Sequence, residues 1–238
     1  MSSHTHHHDH KEEHLKSSEF ITDVVIGMAD GLTVPFALAA GLSGAVHDNS
    51  IIITAGIAEI VAGSIAMGLG GYLSGKTEQE HYQAELKREY DEVEHKPEME
   101  RAEVKEVFAN YGFTDATQNL IVDELVKDKD KWVDFMMKFE LGLEAPHPNR
   151  ARNSAANIGI SYIVGGLLPL LAYFFTSTPY EGLMLSASIT IVCLFIFGYF
   201  KSKVTGQAPI KGALKVTLIG VLAAAAAFGV AKFFDGVM

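Results

Sequence analysis

The chain has 238 residues, 48% of them hydrophobic, with 29 acidic against 19 basic side chains and a formal net charge of −10. That acidic balance excludes a phosphate backbone as a natural partner, so no nucleic acid is expected. The single cysteine, Cys193, excludes an intrachain disulfide and reads as a small apolar packing residue.

Hydropathy is unevenly distributed. Residues 20–75 and 154–238 are mostly apolar, whereas 76–153 hold nineteen acidic and twelve basic residues. A single soluble domain mixes its compositions on a finer scale. The expected fold is an all-α membrane protein: five transmembrane helices in a lipid bilayer, with a helical insert, 76–153, between spans two and three.

Residues 1–19, beginning MSSHTHHHDH, form a polar His-rich tail with no core-forming residues, expected to be disordered. It lacks the basic-then-apolar order of a signal peptide, so the first span is a permanent anchor. That span, about 20–46, carries Asp23 and Asp30, seven apart and so on roughly one helix face, together with Gly27, Gly31 and Pro35. Pro35 has no amide hydrogen and frees a carbonyl near Asp30, where a kink is expected. The second span, about 51–75, carries Glu59 and Met67, eight apart. It also has Gly56, Gly63 and Gly70 at seven-residue spacing, a small face suited to close helix packing.

In the insert, helices are expected over about 76–95, 98–110, 115–127 and 130–143, with Pro97 between the first two. Trp132, Phe135, Met136, Phe139 and Leu143 give the last one an apolar face. Spans three to five are expected over about 154–176, 181–200 and 210–234. No strand pattern appears. Lys201, Lys203 and Lys211 join the insert's basic residues in marking one face, while loops 47–50 and 177–180 carry no Lys or Arg. The N-terminus, the insert and the 201–211 loop are therefore expected to be cytoplasmic, with the C-terminus opposite.

Two carboxylate constellations point to cation handling. A carboxylate inside hydrocarbon is costly and by default marks an ion path or proton relay. Asp30, Glu59 and Met67 can line one path if the first two spans pack side by side, with Asp23 at its cytoplasmic mouth. In the insert, Glu89 and Glu92, then Glu100 and Glu103, each face one way. A turn at Pro97 folds both pairs together, as helical bundles do for divalent metals. Met136, Met137 and Glu140 add soft sulfur and a further carboxylate, tilting preference toward later transition metals. Solvated acidic helices are the plain alternative. A carboxylate-bridged ferroxidase or a membrane-anchored metal sensor are the competing functions. The first is weakened by the absence of a second Glu-x-x-His pair beside Glu92 and His95.

The run Asp23-Val-Val-Ile-Gly-Met-Ala-Asp30-Gly-Leu-Thr-Val-Pro-Phe36 resembles the first-helix motif of the vacuolar iron transporter family. Ala58-Glu-Ile-Val-Ala-Gly-Ser-Ile-Ala-Met-Gly68 is similar to its second helix. His81 to Glu106, Phe135-Met-Met-Lys-Phe-Glu140 and Ile163-Val-Gly-Gly-Leu-Leu-Pro169 follow in the family's order. The resemblance implies a homodimeric, proton-coupled antiporter in the vacuolar membrane, not an enzyme. Its substrate is Fe²⁺, with other divalent transition metals possible and no organic cofactor. It also implies membrane ligands at Asp30, Glu59 and Met67, and cytoplasmic ligands at Glu89, Glu92, Glu100, Glu103, Met136, Met137 and Glu140.

Overall fold

The computed structural model of the protein describes residues 9–235, with side chains from residue 19 to residue 233. Among these residues every regular element is helical. They are α1 (Asp9–Ser43), α2 (Asn49–His95), α3 (Pro97–Asn110), α4 (Asp115–Leu125) and α5 (Lys129–Phe135). A π-helical turn (Met136–Glu140) follows, then α6 (Arg150–Phe174), α7 (Pro179–Val204) and α8 (Pro209–Asp235). Five segments, Glu19–Ser43, Asn49–His95, Arg150–Phe174, Pro179–Val204 and Pro209–Phe233, are long and apolar enough to cross a membrane. The chain divides into two compact units. One joins the residues up to Tyr72 to those from Ala151 onward; the other is Leu73–Arg150.

The first unit turns large apolar side chains outward. Ile57, Val61, Ile65 and Leu69 form an i, i+4 ridge on α2, and Leu214, Leu218 and Leu222 form another on α8. Ile65 is 65% exposed. A surface like this is a liability in water and is matched to hydrocarbon.

Inside the unit, missing Cβ atoms set the helix spacing. A Cβ at Gly27 would strike the carbonyl of Ile158, and one at Gly31 would strike the carbonyl of Tyr162, so α1 and α6 meet backbone to backbone. Gly165 returns the contact, its Cβ position lying 3.0 Å from the Leu32 nitrogen. On α2, Gly56 is filled by Leu170 and Gly63 by the Tyr162 ring. Gly70 has nothing within 4 Å; Gly71 takes its place against Ile158 and Ser154. The seven-residue glycine series is thus a packing face only over its first two members.

The second unit has a small core of Val93, Val104, Val122, Trp132, Val133, Met136 and Met137. Its helices start where local chemistry dictates. Pro97 opens α3, where its missing amide hydrogen costs nothing. The Thr114 side chain accepts from the Thr117 amide to cap α4, and Asp128 accepts from Lys131 to cap α5.

Three boundaries differ from the expected ones. First, α2 runs 47 residues without interruption through the expected junction at 75–76. No proline lies between Asn49 and His95, and each glycine costs a helix only about 1 kcal/mol, which packing offsets. Second, the expected helix over 130–143 is α5 plus the π turn. There the Leu141 amide donates to the Met136 carbonyl at 3.1 Å, five residues back, and Leu143 donates to Met137 at 2.7 Å. Third, α1 starts at Asp9, inside the expected tail, in a stretch rich in helix formers; residues 1–8 lie outside the described residues. Pro35 does not end α1, which continues to Ser43.

Candidate functional site

In the first unit, acids on α1 and α2 meet neutral donors on α6. Asp23 is 1% exposed. The Ser154 hydroxyl donates to Asp23 Oδ1 at 3.0 Å and the Asn157 amide to Oδ2 at 3.4 Å. Asp23 is therefore held in the interior of this unit by α6. The Tyr162 hydroxyl donates a hydrogen bond to Glu59 Oε1, while Glu59 Oε2 is buried with no hydrogen-bond partner. Asp30 is half-buried, within electrostatic reach of the Tyr162 hydroxyl. Met67 is half-buried two turns along α2 from Glu59. The structure thus joins Glu59 to Tyr162, which also packs against Gly31 beside Asp30 and which sequence reasoning passed over. The available signal was a tyrosine in an apolar span; what it meets is set by Gly31 and Gly63 on two other helices.

In the second unit, Glu89 on α2 and Glu100 on α3 are 2% and 1% exposed. Each has one buried oxygen, Oε2, without a hydrogen-bond partner. Glu92 and Glu103 are half-buried, and Glu140 sits at the exposed rim on the π turn. Burial and then the charges of Glu103, Glu89, Glu92 and Glu140 raise the Glu100 carboxyl to about 7. Partial desolvation, then Glu103 and Glu89, raise Glu140 to about 7 as well. Burial also raises Glu89, against the opposing pull of Arg88, and raises Glu103, assisted by Glu92. These five carboxylates repel one another, so they form one electrostatic cluster drawn from three helical elements.

Fixed cations hold part of that cluster. Arg88 reaches Glu85 at 2.9 Å, Glu92 at 3.3 Å and Glu89 at 3.6 Å. Lys96 holds the other oxygen of Glu92 at 3.0 Å. Among the described residues no three His, Cys, Asp or Glu side chains converge into a ready-made ligand set. Met136 and Met137 are buried in the apolar core rather than presented to solvent. The structure accordingly brings the five glutamates into one field but does not close them around a point. A divalent cation is the species such a field attracts: it lowers the pKa of the raised carboxylates and neutralises their repulsion.

The VIT family model matches residues 21–232, nearly the whole described chain and both units. The chain belongs to the VIT family, that of the vacuolar iron transporters. Among VIT relatives, it is 51% identical over 231 residues to vacuolar iron transporter 1 of Oryza sativa subsp. japonica, covering 97% of this chain and 91% of that protein. It is 50% identical over 223 residues to vacuolar iron transporter 1 of Arabidopsis thaliana, covering 94% and 89%. Identity to protein CCC1 of Saccharomyces cerevisiae is 40% over 216 residues, covering 87% and 67%.

Proposed function

We propose that this VIT-family protein is a secondary transporter that moves Fe²⁺ across the vacuolar membrane, from cytoplasm to lumen, in exchange for protons. The rice and Arabidopsis relatives, both named vacuolar iron transporter 1, support vacuole and iron. The observation that carries the reading is Glu59, a carboxylate inside an apolar span with one oxygen held by Tyr162 and the other buried and unpartnered. A buried oxygen left without a donor costs stability unless a cation or a proton visits it.

The chemistry follows from that competition. Fe²⁺ is substrate, held in turn by oxygen-rich sites whose ligation is labile, because a site that never releases cannot feed a path. Asp30, Glu59 and Met67 are assigned to the membrane path, with Asp23 as a further acid of the same unit. Glu89, Glu92, Glu100, Glu103 and Glu140, with Met136 and Met137, are assigned to capture on the cytoplasmic side. The Met136 and Met137 sulfurs would leave the apolar core to reach a metal. Other divalent transition metals share this ligand chemistry. The functional unit is proposed to be a homodimer, with the N-terminus and insert cytoplasmic and the C-terminus lumenal.

Purified protein in liposomes with an internal pH dye tests this directly. Anaerobic Fe²⁺ added outside should alkalinise the interior, and Glu59→Gln should stop it. Fe²⁺ entry without proton movement would make the protein a channel. Folded protein that admits no Fe²⁺, or oxidises it with oxygen consumption, would overturn the transporter reading.

A further inference from the structure

The membrane acid Glu59 does not stand alone, and the residue that holds it is built in unusually firmly. Tyr162, on α6, is 2% exposed. Its hydroxyl reaches α2, where it donates to Glu59 Oε1 across 103 residues of sequence. Two glycines make room for it. A Cβ on Gly63, one helical turn beyond Glu59 on the same helix, would lie 2.7 Å from Tyr162 Cε1 and closer still to its hydroxyl. A Cβ on Gly31, next to Asp30 on α1, would lie 2.9 Å from Tyr162 Cα. The ring therefore occupies a slot that any other residue at position 63 would fill.

The consequence is asymmetry in the carboxylate. Oε1 has a neutral donor, Oε2 has none, and both belong to a half-buried side chain. A tyrosine hydroxyl offers one hydrogen, and Glu59 Oε1 takes it. A free glutamate has three side-chain torsions and points its oxygens anywhere; one anchored oxygen fixes the other. Such anchoring is the usual work of the groups behind a metal ligand.

We propose that Tyr162 is the positioning residue of the membrane site: it pins Glu59 Oε1 and leaves Oε2 as the oxygen that meets the transported ion. The inference rests on the reading of Glu59 as a path ligand. It assigns to α6 a part in substrate affinity that neither spacing nor acid content of the first two spans discloses.

Fe²⁺ flux into liposomes by the full chain, measured across substrate concentrations, tests it. Tyr162→Phe keeps the ring in its slot and removes only the hydroxyl. The expected result is a KM for Fe²⁺ raised about tenfold, on the scale of one lost hydrogen bond to a charged group, with Vmax changed less than about twofold. Gly63→Ala, which leaves both the hydroxyl and the carboxylate in the sequence, should raise KM in the same way by pushing the ring aside. A structural role alone would lower the yield of folded protein and Vmax while leaving KM in place. Wild-type KM in both variants would overturn the inference, and so would a loss of Vmax alone. Glu59→Gln separates this from the wider reading. If Glu59→Gln transports like wild type, the path assignment fails. If Glu59→Gln is inactive while Tyr162→Phe and Gly63→Ala are normal, only the role of Tyr162 fails.

Discussion

The two units treat carboxylates in opposite ways. In the membrane-type unit, uncharged donors on α6 reach the acids: Ser154 and Asn157 for Asp23, Tyr162 for Glu59. In the insert, five glutamates crowd together, and the groups that answer them are cations, Arg88 and Lys96. The difference teaches what each environment permits. Neutral donors orient a carboxylate without cancelling its charge, which keeps it available to a passing ion where a fixed cation would be costly to bury. Nearer water, repulsion among like charges is tolerable and can be stored, with exposed arginine and lysine as weakly bound placeholders.

Breaking the membrane half of this contrast should have the largest effect. Asp30→Ala or Glu59→Ala is expected to lower Fe²⁺ flux more than about a hundredfold, with folded protein intact by size-exclusion chromatography. Full transport by both would remove the path assignment.

Breaking the insert half should act on affinity instead. Replacing Glu89, Glu92, Glu100 and Glu103 together by alanine is expected to weaken metal binding, read by calorimetry, at least about a hundredfold. Removing four mutually repelling carboxylates, two of them buried, should not reduce, and is expected to raise, the thermal stability of the metal-free protein. An unchanged titration would refute the capture site.

The pH dependence has a definite sign. Glu100 and Glu140 titrate near 7 in the folded protein, above their ordinary 4.5. Their protonated forms therefore stabilise the metal-free insert fully below about 4.5, and that contribution is lost as pH rises through about 7. Metal needs the deprotonated forms, so its apparent affinity should climb over the same interval and its binding should release protons. Calorimetry in buffers of different ionisation heat measures that release; affinity independent of pH across this range would contradict the cluster.

Smaller effects sharpen the picture. Arg88→Gln removes a placeholder and is expected to tighten metal binding about two- to fivefold, in keeping with a half-exposed arginine. Weaker binding would mean that Arg88 organises the glutamates rather than competing for them. Gly70→Ala, with nothing within 4 Å of the new methyl, should leave flux unchanged and shift stability by no more than about 1 kcal/mol. It is the control for Gly63→Ala.

How much of this was legible depends on whether a residue's meaning is local. The five apolar spans and the turn at Pro97 follow from period, length and backbone chemistry within a few residues. So does the pairing of Glu89 with Glu92 and of Glu100 with Glu103. The run of α2 through residue 75 was hidden because a change of composition resembles a change of element, although no helix-breaking residue marks the place. The π turn was hidden because 3.6-residue spacing assumes regular hydrogen bonding. The donors Ser154, Asn157 and Tyr162 were hidden for a different reason. Each is an ordinary residue in an ordinary apolar helix, and its partner lies more than a hundred positions away.

Trp132 is the chain's one tryptophan, packed among Val93, Val104, Met136 and Met137, with its indole nitrogen buried and unpartnered. Light absorbed and emitted by tryptophan in this protein comes from the insert alone. A melting curve followed by that emission reports the smaller unit and is blind to the helices of the other. The same light offers, without any attached dye, a view of whether the methionines beside the indole move when metal arrives.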